Sequence, residues 1–122
     1  MPIVDVELVL PKGEEIAKTL ANSLADALGT AMAVPAGRLW VRLSRRAASH
    51  YAENGVPAHL TPHPVFVSVL HAHPPENDAR KAEIKGITEA VAACTGREIE
   101  AIHVAYAPAG AGRVAFGGNL VE

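Results

Sequence analysis

Ile3-Val4-Asp5-Val6-Glu7-Leu8-Val9-Leu10, preceded by Met1-Pro2, is the stretch on which the fold of this chain turns. The run is apolar, has the length of one strand, and is closed by the turn Pro11-Lys12-Gly13, the punctuation that ends strands. Pro2 at its head costs a strand little, because proline fixes φ and removes a single donor. Removal of Met1, which a small second residue favours, leaves Pro2 with a free secondary amine. An α-amino group titrates near pKa ~7.7–8.0, and partial burial or a neighbouring cation lowers that value. A general base works best with a pKa near the working pH. Pro2 is therefore the candidate catalytic base, on the condition that Met1 is absent, since acylation turns its nitrogen into an amide.

Outward from this strand the chain reads as one unit given twice. After Gly13 a helix is predicted from about Glu14 to Met32, because Ile16, Leu20, Leu24 and Leu28 recur every four positions and so share a face. Glu14 and Glu15 fall in its first turn, where the helix dipole favours negative charge. Past Val34-Pro35-Ala36-Gly37 comes a second strand, about Arg38 to Ser44, with Leu39, Val41 and Leu43 on one face and Trp40 and Arg42 on the other. The second unit starts at Pro64. Val65–Leu70 is a strand, Pro74-Pro75-Glu76-Asn77 a turn, and Asp78 to Ala93 a helix with Ile84, Ile87, Val91 and Cys94 on its buried face. Thr95-Gly96 closes that helix, and Ile99 to Ala105 is the last strand. Ala109-Gly110-Ala111-Gly112 reads as a flexible loop before Phe116-Gly117-Gly118.

The two units are offset by about sixty residues, so that Pro2 answers Pro64 and His50-Tyr51 answers Ala115-Phe116. Repeats 2–55 and 64–118 flank a linker at 56–63 within one domain, 1–122. A β-α-β unit joins parallel strands by a right-handed crossover. Two in tandem give an α+β fold: a four-stranded mixed sheet with both helices on one face. The other face is left to bury, which implies self-association.

Composition narrows the function. The 122 residues carry a formal net charge of −2, without the basic field of a nucleic-acid binder. Hydrophobic residues make up 49% and aromatic ones 4%, so the core is aliphatic. No apolar run approaches the ~20 residues of a membrane span, and no secretory leader is evident. The single cysteine, Cys94, excludes an internal disulfide framework and fits a reducing cytoplasm; in its helical stripe it reads as a packed thiol. His71 and His73 alternate by two and on a strand would face the same side. No carboxylate or thiol is tied to them by sequence, so no metal is expected. Arg42-Leu43-Ser44-Arg45-Arg46 is a cationic cluster that is either a solvated strand end or a reach into a neighbouring subunit, and Arg113 in the glycine-rich loop has the same two readings. Gly110-Ala111-Gly112 lacks the strand-to-helix context of a phosphate loop.

The Pro2-Ile3-Val4 opening, the Val34-Pro35 to Val41-Arg42 pattern, Ser49-His50-Tyr51 followed by Gly55, and the duplicated β-α-β frame together resemble the tautomerase superfamily. The likeness is to fused 4-oxalocrotonate tautomerase-type units, in the size class of 5-carboxymethyl-2-hydroxymuconate isomerase, malonate semialdehyde decarboxylase and macrophage migration inhibitory factor. The resemblance implies that Pro2 is the base and that Tyr51 stands for the aromatic residue packed near it. It sets Lys12 where the family holds a substrate carboxylate with an arginine, with charge but without the bidentate fork. Trp40 replaces a second family arginine, for which the flanking Arg38 and Arg42 could substitute, and Arg42 or Arg113 joins Lys12 in holding the carboxylate. His71-Ala72-His73 stands where decarboxylase and dehalogenase relatives carry an arginine pair; His73 is then a rim residue for an anionic substrate. The implied protein is a cytoplasmic homotrimer that isomerises a small 2-hydroxydienoate or related enol/keto acid without cofactor. The alternatives are a non-catalytic, self-associating or ligand-binding member of the fold, and a decarboxylase or hydratase that uses Pro2 as an acid.

Overall fold

Val4, Val6, Leu8 and Leu10 turn to one side of β1 (Ile3–Leu10) and are buried, while Ile3, Asp5 and Glu7 on the other side are half-buried. The computed structural model describes residues Met1–Glu122. β2 (Trp40–Ala47) runs parallel to β1, pairing Ile3 with Trp40 and Leu10 with Ala47. β3 (Val65–Leu70) runs antiparallel to β1, pairing Ile3 with Leu70 and Leu8 with Val65. β4 (Ile102–Tyr106) is parallel to β3. The sheet order is β2-β1-β3-β4, so each β-α-β half is parallel within itself and the halves join through one antiparallel pair.

The connections are α1 (Leu20–Ala31) and α2 (Asn77–Thr95). Leu24 and Leu28 of α1 and Ile87 and Val91 of α2 join Val4, Val6, Val67 and Val69 in one core of 15 buried residues. Both helices thus cover the same sheet face, as the alternation and the four-residue recurrence require. Gly96 ends α2 in the left-handed region (φ 71°) and its N–H donates to the Ala92 carbonyl, a conformation glycine adopts without Cβ strain. No helix is long and apolar enough to cross a membrane.

The structure departs from the sequence reading at several places. α1 begins at Leu20, not Glu14, and has no acidic residue in its first turn. The segment from Pro11 to Thr19 runs as turns closed by Glu14 N–H to Pro11 O and Leu20 N–H to Ala17 O. Ile16 still packs on the core, so the four-residue recurrence was continued by a residue of the loop before the helix. β2 extends to Ala47 and takes Arg45 and Arg46 into the strand. The last strand starts at Ile102 because Ile99–Ala101 forms a 3-10 turn. Finally, the Ala109–Gly112 loop is anchored: Gly110 is buried and its N–H donates to His71 O at 2.8 Å. Beyond it β5 (Ala115–Phe116) and β6 (Asn119–Leu120) form a small hairpin.

The uncovered sheet face carries Arg42 paired with Asp5 at 2.6 Å and Arg46 paired with Glu7 at 3.1 Å. That face is polar and charged as well as open.

Candidate active site

Pro2 is buried at the head of β1, and its carbonyl accepts the Trp40 N–H at 3.1 Å. Since Ile3 pairs with Trp40 and Leu70, Pro2 stands one step further along, between the chain at Leu39 and the chain at His71. Trp40 meets Phe116 of the hairpin edge-to-face, with ring centroids 4.9 Å apart, a favourable aromatic geometry. Proline, two aromatic rings and the start of the His71-Ala72-His73 segment therefore share one end of the sheet.

Lys12 and Tyr51 lie at the other end. Lys12 lies two residues beyond the end of β1 and is exposed, lining a cavity of about 330 Å³ with Arg45 and Ser49. Tyr51 follows a 3-10 turn at Ala48–His50, packs against Phe66 at 5.9 Å between centroids, and donates its hydroxyl to Glu53 at 2.5 Å. That hydrogen bond, with burial and the nearby Glu53 charge, pushes the Tyr51 phenol up to about 12. The eight residues of β1 separate this end from Pro2 by roughly 25 Å at ~3.3 Å per residue. Within one chain the structure does not bring Lys12 or Tyr51 to Pro2.

Arg42 is engaged on the open sheet face, its Nε and Nη2 donating to the two Asp5 carboxylate oxygens at 2.6 and 2.8 Å. The hydrogen bond and charge of Asp5 raise its pKa further. Arg113 is exposed, and its backbone N–H donates to Gly110 O at 2.7 Å. The two imidazoles part company instead of facing the same side, because the chain leaves the sheet after Leu70. His71 is half-buried and donates from Nε2 to Glu83 at 3.0 Å, whereas His73 is exposed and donates to the Glu122 carbonyl at 3.0 Å. No group of three His, Cys, Asp or Glu side chains converges as a metal site. Cys94 sits 3.7 Å from the Ser23 carbonyl, and burial pushes its thiol up, away from the reactive thiolate.

Three residues of the Pro2 end escaped the sequence reading: Arg80, Glu83 and Tyr106. Glu83 on α2 accepts hydrogen bonds from both Tyr106 OH and His71. Desolvation, then the Glu83 hydrogen bond and charge, hold the Tyr106 phenol above its ordinary range, partly offset by Arg80. The Arg80 guanidinium lies over the Tyr106 ring, 5.4 Å from its centroid. The available signal was spacing. Arg80 and Glu83 stand seven and four residues before Ile87, on the stripe that α2 turns inward.

No protein-family model and no curated protein sequence matches this chain. Solved structures do match. A fused 4-OT, a wild-type symmetric trimer, superposes at TM-score 0.72 with 17% identity, covering 98% of this chain and 94% of that one. Pt0534, solved after inactivation by 2-oxo-3-pentynoate, gives TM-score 0.74 with 17% identity over 98% and 94% of the two chains. A macrophage migration inhibitory factor from Oncomelania hupensis gives 0.73 with 18% identity over 100% and 83%. The chain has the tautomerase/MIF-like fold over nearly its whole length.

Proposed function

We propose that this protein is a cofactor-independent tautomerase of small enol/keto acids such as 2-hydroxydienoates, with Pro2 as general base after Met1 removal. The observation that carries the reading is the placement of Pro2: buried, at the head of the central strand, and at the end of the sheet shared by Trp40 and Phe116. Burial disfavours the ammonium form of an amine and so favours the basic one. The similar Pt0534 is inactivated by 2-oxo-3-pentynoate, a small keto acid of the proposed substrate class.

In the proposed step the Pro2 nitrogen takes the proton of the enol hydroxyl or α-carbon, becomes a secondary ammonium, and returns the proton to another carbon. The dienolate formed between the two transfers needs a cation near its carboxylate, the preorganised electrostatic help that often dominates catalysis. Lys12 is the first candidate, followed by Arg42, Arg113 and His73 at the rim. Because Lys12 and Tyr51 lie far from Pro2 in one chain, the reading includes a homotrimer in which these residues of one copy meet Pro2 of the next.

Intact-mass measurement and ketonisation assays test the proposal together. The purified protein should lack Met1, be labelled once by a 3-halopropiolate-class acetylenic probe at Pro2, and ketonise phenylenolpyruvate or 2-hydroxymuconate. Pro2→Ala should lose label and activity. A retained Met1, or no turnover by the wild-type protein, overturns the reading in favour of a non-catalytic ligand-binding member of the fold, and equal rates with Pro2→Ala overturn Pro2 as the base.

A further inference from the structure

At the C-terminal end of β4 a cavity of about 590 Å³ is lined by His73, Pro74, Glu76, Arg80, Tyr106 and Pro108 among others. Arg80 is its one arginine, and the surroundings hold that guanidinium in place without neutralising it. Its Nε donates to the Pro75 carbonyl at 2.7 Å, and its face rests on Tyr106. Tyr106 is fixed in turn because its hydroxyl donates to Glu83. Glu83 is the nearest inward carboxylate on α2, yet it is already shared between Tyr106 and His71, and its side chain is only 12% exposed. Arg80 forms no salt bridge, and its two terminal nitrogens have no hydrogen-bond acceptor in the protein. A planar fork that is clamped at its stem, stacked on one face and free at its outer edge matches a carboxylate.

We propose that Arg80, backed by Tyr106, binds the carboxylate of a small planar monoacid in this cavity. The rim sets the restriction to one carboxylate. Glu76 lines the same cavity, and His73 is occupied by the Glu122 carbonyl, so a second carboxylate on the ligand meets like charge where the first meets Arg80. The uncharged remainder of the acid lies against the Tyr106 ring and the walls at Pro74 and Pro108. This site does not depend on Pro2 acting as a base.

The probe is 4-fluorobenzoate followed by fluorine NMR, with 4-fluorobenzamide as its uncharged isostere and inorganic phosphate as a competitor. The benzoate is expected to bind and the amide not. Arg80→Gln should weaken binding about ten- to a hundredfold, as loss of charge-assisted hydrogen bonds does. Pro2→Ala should leave it unchanged, which separates this inference from the proposed catalysis. Ala107→Glu, on the cavity wall with Arg80 intact, should abolish binding and thereby covers the case in which Arg80→Gln fails to fold. Equal affinity in Arg80→Gln, binding of the amide, persistence in Ala107→Glu, or phosphate outcompeting the benzoate would each overturn it.

Discussion

Pro2 and Tyr51 stand at opposite ends of one sheet, the first at the head of β1 and the second beyond the last residue of β2. A catalytic pocket that uses both must be assembled from two copies. Pro2→Ala and Lys12→Ala should each be inactive alone, yet co-refolded one to one they should regain about a quarter of wild-type activity, the random yield of sites with both parts intact in a closed ring. No recovery in mixtures shown by mass to be mixed trimers would mean that Pro2 and Lys12 do not meet across a subunit boundary.

Both tyrosines should titrate late. Tyr51 is raised to about 12 by Glu53, and Tyr106 is raised by desolvation and Glu83. A phenol whose pKa rises on folding is held neutral by the fold. Its contribution is complete below the unfolded value of ~10 and is lost as pH climbs through the folded value. Phenolate absorbance should therefore be absent from the native protein at pH 10.5 and present in urea, and the urea midpoint should fall between about pH 10 and 12. Native-state ionisation with midpoint near 10 for both residues would contradict these environments.

Glu83 should matter to stability more than any exposed carboxylate. Glu83→Ala leaves two part-buried donors, Tyr106 OH and His71 Nε2, without their acceptor, at a cost of about 1–3 kcal/mol. Glu83→Gln, which keeps an acceptor oxygen, should recover part of that loss. Urea unfolding of the two variants makes the comparison, and equal midpoints for wild type and Glu83→Ala would argue that water replaces the carboxylate freely.

Gly110→Ala tests whether the loop after β4 is packed. A Cβ there would lie 3.0 Å from Val114 Cγ1 and 3.2 Å from His71 O, so the substitution should cost about 1–3 kcal/mol as overpacking does. Leu24→Ala, in the middle of the core, should cost about 2–5 kcal/mol through its cavity. Gly112→Ala meets no neighbour within 4 Å, but its φ of +76° makes it strained on backbone grounds alone. A Gly110→Ala midpoint matching wild type would show that this loop yields without cost.

The strands and both helices were legible because their signals are local. Val65–Leu70 is a short apolar run, and Leu20, Leu24 and Leu28 hold one face without interruption. The start of α1 was not legible, since Ile16 continues the periodicity from a loop and Thr19, at the N-cap, makes no side-chain capping hydrogen bond. Of the candidate site, Pro2 was proposed from its position together with the duplicated β-α-β frame. The Arg80–Tyr106–Glu83–His71 array was invisible because its members are scattered from 71 to 106 in sequence, and only the β3-α2-β4 crossover places them together. His71 and His73 were misjudged in orientation because strand alternation was extended past Leu70, where the sheet ends.

The antiparallel pairing of β1 with β3 has a consequence for synthesis. Ile3 finds Leu70 across 67 residues of chain, by the registers of that pair. Until the second half leaves the ribosome, β1 has only β2 as a neighbour, and Val4 and Val6 lack the flank supplied by Val67 and Val69. Long-range strand pairing is slow to form and leaves edges open meanwhile. The first half is thus expected to stay a collapsed precursor on the ribosome, with the rate of folding set by the arrival of β3 and not by the quick closure of either β-α-β unit.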